Sequence, residues 1–141
     1  MILRRLWHGT LQVDRFIRLH QLFFTAIWLL LGAASVERTL RPAEFIALLG
    51  VILAFHVFTY VLNDVIDLPI DRTQPRRQDD PLVRGSIKPR HALFLALAQP
   101  VVAASLTWLA GGTVWAYAVL AAGMGLMGVY NLWGNAARFR H

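Results

Sequence analysis

Long uncharged blocks separated by short charged stretches dominate the chain. No Asp, Glu, Lys or Arg occurs between Leu19 and Val36, between Phe45 and Asn63, or between His91 and Ala137. A membrane-spanning helix needs ~20 mostly apolar residues, with a range of ~17–25. The first two blocks each fit one span. The third fits two, with a turn at Gly111, Gly112 and Thr113. The pattern predicts an all-α, polytopic membrane helical bundle of about four transmembrane helices, near 18–36, 44–66, 90–110 and 113–133. A single membrane domain then covers 1–141, and a polar loop over 64–90 joins the second span to the third.

A soluble bundle fits poorly. A surface helix of such a bundle shows a polar face at every turn, and Trp115 through Val129 shows none. In lipid, backbone amides are satisfied only in helices or closed barrels. These runs are too long, and too poor in alternation, for barrel strands. The start of the chain has the outline of a cleavable signal: Arg4 and Arg5, then an apolar run ending in Leu31-Gly32-Ala33-Ala34-Ser35. Arg15 and Arg18 lie against that run, however, and the charged leader is long, so a retained anchor is expected.

Composition agrees with a membrane protein. The chain has 141 residues, 57% of them hydrophobic and 16% charged, with a mean hydropathy of +0.50. Soluble domains average ~45–50% apolar and ~25% charged. Cysteine is absent, which excludes a disulfide framework and a thiolate zinc site.

The net charge of +6 and pI of about 11.1 first suggest nucleic acid, but the placement of the bases points elsewhere. With four spans, one side of the membrane receives Arg4, Arg5, Arg15, Arg18, Arg72, Arg76, Arg77, Arg84, Lys88, Arg90, Arg138 and Arg140. The other receives only Arg38 and Arg41. The positive-inside rule places the larger group, with both termini and the polar loop, in the cytoplasm of an inner or plasma membrane. A nucleic-acid binder would set bases among stacking aromatics on a solvated face, whereas most aromatics here fall inside the proposed spans. No nucleic-acid partner is expected; the lipid bilayer is.

The acids are concentrated. Asp64, Asp67, Asp71, Asp79 and Asp80 are five of the eight in the chain, and they sit where the second span meets the polar loop. Asp64, Asp67 and Asp71 are spaced i, i+3, i+7, which puts them on one helical stripe. Two carboxylates ~6 Å apart at an effective dielectric of ~20 repel by about 3 kcal/mol. A divalent cation offsets this, and Mg²⁺ takes carboxylate oxygens together with waters and phosphate oxygens. Asn63 adjoins the set. Arg72, Arg76, Arg77, Arg84 and Lys88 follow, and Arg forks match phosphate oxygens. Acids for a metal beside Arg for phosphate suit a diphosphate-bearing substrate. An internally neutralised loop, with Asp71–Arg72 and Asp79–Arg77 pairs or Arg against anionic lipid, is the plainer alternative. Upstream, His56 and Tyr60 continue the polar stripe into the membrane. They either bond neighbouring helices or line an acceptor pocket.

The string Asn63-Asp64-x-x-Asp67-x-x-x-Asp71 at the end of the second span resembles the first Asp-rich motif of UbiA-type intramembrane prenyltransferases. The following Asp71-Arg72, Pro75 and Pro81-Leu82-Val83-Arg84-Gly85-Ser86-Ile87 extend the likeness, which reaches Tyr130-Asn131 at the end of the fourth span. The resemblance implies transfer of a prenyl group from an isoprenyl diphosphate to a hydrophobic, often aromatic, acceptor. Asn63, Asp64, Asp67 and Asp71 would then be catalytic through Mg²⁺. Arg72, Arg77 and Arg84 would bind diphosphate, and His56, Tyr60 and Tyr130 would border the acceptor. Three departures stand out. Pro69 lies inside the motif, so the helix is expected to break after Asp67 and Asp71 to enter from a turn. Asp80 precedes Pro81 where the family usually has Arg. The family's nine-helix fold carries a second Asp-rich motif, whereas the acids left here are Asp14, Glu37 and Glu44. The chain therefore reads as half of that fold, either as a truncated product or with a second chain or copy supplying the rest, and little activity is expected of it alone. Gly123, Gly125 and Gly128 would allow close helix contact, within the chain or to that copy. The alternatives are a non-catalytic membrane subunit that binds lipid diphosphate or scaffolds partners, and a transporter fragment. Acids at the membrane edge rather than mid-span disfavour the transporter.

Overall fold

The computed structural model describes residues 16–35 and 39–138. Within them the chain forms four α-helices and no strand: α1 (Leu19–Ala34), α2 (Pro42–Asp71), α3 (Pro89–Leu109) and α4 (Val114–Arg138). A short 3₁₀ turn, Pro75–Arg77, lies in the loop between α2 and α3. Three helical segments are long and apolar enough to cross a membrane: Pro42–Asp71, Pro89–Leu109 and Val114–Gly134. The chain is an all-α membrane bundle. At 16 residues, α1 reaches about 24 Å, short of a ~30 Å hydrocarbon core. Its start is set by Arg18, whose φ of +52° interrupts the helix that Phe16 and Ile17 begin. Arg4, Arg5, Arg15, Arg38 and Arg140, which carry part of the charge asymmetry, lie outside the described residues.

The centre of the bundle is α2, which packs against all three other helices. Its N-terminus is fixed by Pro42 at the first helical position and by Glu44, whose carboxylate accepts from the Arg41 backbone N–H at 3.0 Å and from its guanidinium at 2.8 Å. Ile52, Ala54, Val57, Phe58, Val61 and Leu62 form the buried heart of the bundle. Against them α3 turns Ala92, Ala96 and Ala103, all buried and close to one face. Without a hydrophobic drive between helices in lipid, small residues of this kind allow backbones to approach. Gly50 has the same use: a Cβ there would sit 2.7 Å from Leu106 Cδ1. Gly123 and Gly128 of α4 face the rings of Phe55 and Phe58. Their open surfaces therefore serve packing within this chain, while Gly125 faces open space.

Pro69 does not break α2. The helix runs through it to Asp71, and the Arg72 N–H closes on Leu68 O at 3.1 Å. The proline lies within three residues of the helix end and on its exposed side, so the expected turn entry of Asp71 is replaced by a continuous stripe. The α3–α4 turn depends on Gly111 at φ +72°. There the Gly111 and Gly112 N–H groups cap Trp108 O and Thr107 O at 2.9 and 2.8 Å. Phe23, Phe24, Phe94, Val119 and Leu126 are exposed, as lipid-facing positions should be. Trp108 and Trp115 flank the α3–α4 turn and Trp133 marks the other end of α4, the arrangement of interfacial aromatic belts.

Candidate functional site

The three carboxylates of the stripe, Asp64, Asp67 and Asp71, are all buried at the last two turns of α2. The loop after α2 folds back over them. Leu82 is buried, with Val83 and Ile87 beside it, and they join the cluster that holds Phe16, Val61 and Leu68. Ser86 Oγ donates to Pro81 O at 3.0 Å, and the Gln78 amide donates to Arg72 O at 2.9 Å. The loop is thereby tied down, and its 3₁₀ turn delivers Arg77 to the acids.

Two guanidiniums neutralise the carboxylates. Arg18 donates from Nη2 to Asp64 Oδ1. Arg77 serves three acids at once: Nη1 donates to Asp80 Oδ2 at 2.9 Å, Nε lies 3.6 Å from Asp71 Oδ1, and Nη1 lies 4.0 Å from Asp64 Oδ1. Burial alone would push the Arg77 guanidinium down. The hydrogen bond to Asp80 and the charges of Asp71, Asp64 and Asp80 outweigh it and raise the group above its ordinary value. Asn63 Nδ2 donates to Asp67 Oδ2 at 3.0 Å. The partner of Arg77 is thus Asp80 rather than Asp79, and the cation beside Asp71 is Arg77 rather than Arg72.

The polar stripe inside the membrane serves the start of α1. His56 is fully buried. Its Nε2 lies 2.9 Å from Ile17 O and 3.2 Å from Arg18 O, so it carries the proton and donates to these carbonyls, freed by the break at Arg18. Its Nδ1 then accepts from Thr25 Oγ1 at 3.0 Å. Tyr60 lies beside it, tilted by 46° with ring centres 4.5 Å apart, and the Arg18 guanidinium lies over the Tyr60 ring at 5.4 Å, within cation–π range. One chain of contacts therefore links His56, Tyr60, Arg18 and Asp64.

The remaining sequence candidates are placed apart from this cluster. Arg72 and Arg84 are exposed on the loop. Tyr130 is 61% exposed on α4, while its neighbour Asn131 is buried and donates to Thr59 O at 3.2 Å, fastening α4 to α2. Sequence reasoning gave Arg18 only an orienting role. The sequence marks it only as a basic residue directly before an apolar run, on the same side as the acid stripe, and nothing local pairs it with Asp64.

Two clefts open at the cluster. A narrow one of about 10 Å³ is lined by Phe16, Asp64, Asp71, Asp80, Pro81, Leu82 and Val83. A larger open one of about 440 Å³ lies beside it, with Arg18, His20, Gln21, Arg76, Arg77, Asp79 and Asp80 on its walls. Gln21 Oε1 is buried with no hydrogen-bond partner among the described residues. Also among the described residues, no group of three or more His, Cys, Asp or Glu is gathered closely enough to hold a metal ion. The donor chemistry nonetheless suits a hard cation: Asp64 and Asp71 share the narrow cleft, and guanidiniums already stand where positive charge is required. Mg²⁺ needs only one or two carboxylates beside waters and phosphate oxygens.

The chain matches the family model described as the UbiA prenyltransferase family over residues 22–139. No curated protein and no solved structure matches it. The match covers all four helices almost completely, together with the acid stripe and the loop that folds over it, and on that extent the chain belongs to the UbiA prenyltransferase family.

Proposed function

We propose that this chain carries the diphosphate-binding part of a membrane prenyltransferase, which moves a prenyl group from an isoprenyl diphosphate to a hydrophobic acceptor. The observation that carries the reading is the juxtaposition at the end of α2: a buried carboxylate stripe, Asp64, Asp67 and Asp71, beside a cleft walled by Arg18, Arg76 and Arg77. Family membership supplies the reaction class.

In this reading Asp64 and Asp71, which share the narrow cleft, would hold Mg²⁺ together with waters and phosphate oxygens, while Asn63 fixes Asp67 beside them; the ion would supply charge neutralisation for the departing diphosphate. Arg76 and Arg77 meet phosphate oxygens in the larger cleft. Arg72 and Arg84, exposed on the same loop, steer the anion toward it. The allylic C–O bond breaks, its electron pair leaving with the diphosphate. The acceptor carbon attacks the allylic cation and then loses its proton to the released diphosphate. Tyr60, held between His56 and Arg18, borders the acceptor. The loop and both termini face the cytoplasm of an inner or plasma membrane, where soluble diphosphate can leave.

The test uses the purified chain in lipid nanodiscs. Geranyl diphosphate should be retained only with Mg²⁺, and Asp64→Asn should abolish retention. Adding a phenolic acid should release diphosphate if transfer follows. Retention that ignores both Mg²⁺ and Asp64 would sink the reading.

A further inference from the structure

Asp64 already has a cation. Arg18 reaches it from a backbone position that L-residues rarely adopt, φ +52°. Three contacts enforce that position: the Asp64 carboxylate, the Tyr60 ring, and the bonds from His56 to the Ile17 and Arg18 carbonyls. The same side chain is also a wall of the 440 Å³ cleft, with Arg76 and Arg77.

We infer that Arg18 is an exchangeable place-holder: it occupies Asp64 in the absence of a divalent cation, and when a cation takes the carboxylate its guanidinium turns to bind phosphate in the adjoining cleft. The inference rests on the reading of Asp64 as a cation ligand given above. Physically, a carboxylate can be shared by a guanidinium and a divalent cation only if the two positive charges crowd one another, so binding of one weakens the other. The carboxylate side is occupied also by Arg77 at 4.0 Å. The cleft side is open, and an anion there gives the released guanidinium a new partner. The exchange thus links cation binding to the appearance of a third phosphate-binding arginine.

The probes are Mn²⁺ alone, followed by its electron paramagnetic resonance, and inorganic pyrophosphate, followed by calorimetry in the presence of Mg²⁺. Both use the full chain in nanodiscs. Arg18→Gln should bind Mn²⁺ about tenfold more tightly, the order expected when one part-buried charge-assisted bond no longer competes. The same variant should bind pyrophosphate about tenfold more weakly. Arg18→Lys, which keeps the charge, should fall between the two. Opposite signs for the two ligands support the exchange, because a variant that merely damages the fold loses both. Weakening of both, or Asp64-dependent Mn²⁺ binding equal in wild type and Arg18→Gln, overturns the place-holder role while leaving Asp64 as a ligand. If neither protein shows Mn²⁺ binding that Asp64→Asn removes, the cation reading itself falls, and the exchange with it.

Discussion

His56 donates its Nε2 proton to the carbonyl of Ile17 at 2.9 Å, across 39 residues of sequence. A buried imidazole on the central helix thereby satisfies the backbone at the point where the entering chain breaks before α1. In lipid such carbonyls have no water to turn to, and leaving one unsatisfied costs about 1–3 kcal/mol. His56→Leu should lower stability by about that amount and release the segment around Arg18. Thermal unfolding in nanodiscs reads the first effect. Faster tryptic cleavage after Arg18 at temperatures well below unfolding reads the second. His56→Gln, which retains a donor, should recover part of both.

Arg77 is the cation on which three acids depend. Arg77→Gln leaves Asp71 and Asp80 without the guanidinium that now sits 3.6 and 2.9 Å away. The loop should detach from α2, with a loss of about 1–2 kcal/mol for the charge-assisted bonds. Arg72→Gln, on an exposed side chain, should change stability by less than about 0.5 kcal/mol. Hydrogen–deuterium exchange over residues 72–88 separates them: faster exchange is expected for Arg77→Gln alone.

Helix packing makes a prediction of opposite signs for two glycines. A methyl group at Gly50 would press on Leu106 at 2.7 Å, whereas nothing lies within 4 Å of one at Gly125. Gly50→Ala should destabilise by about 0.5–1 kcal/mol as the Leu106 side chain is turned aside. Gly125→Ala should be neutral or stabilising by up to about 1 kcal/mol, the helix-propensity difference. Equal losses at both positions, measured by denaturant unfolding, would mean that α4 uses Gly125 for a contact outside the chain.

The features that could be read in advance are those written in local spacing. Uncharged runs announced the helices, and the i, i+3, i+7 spacing put Asp64, Asp67 and Asp71 on one stripe. Pro69 misled because a proline within the last turns of a long packed helix loses to the tertiary contacts of Leu68 and Asp71. The identity of the neutralising cations was not legible. Arg18 meets Asp64 across 46 residues and depends on a backbone kink that no local propensity specifies. Arg77 selects Asp80 through a 3₁₀ turn whose register no charge pattern dictates. His56 and Asn131 are visible as polar residues in apolar helices, but Ile17 O, Arg18 O and Thr59 O are main-chain atoms with no side-chain signature, and the Thr25 hydroxyl meets His56 across 31 residues.

The length of α2 has a consequence for how the isoprenyl diphosphate proposed above would reach the acids. Thirty residues extend about 45 Å, against a hydrocarbon layer of ~30 Å, so with Pro42 at one surface the helix carries Asp64, Asp67 and Asp71 to headgroup depth at the other. An amphiphile with a long hydrocarbon tail and an anionic head already rests at that depth. It can approach sideways, by two-dimensional diffusion within its leaflet. Its tail is then never drawn into water, a step that would cost about 0.8 kcal/mol for each methylene exposed.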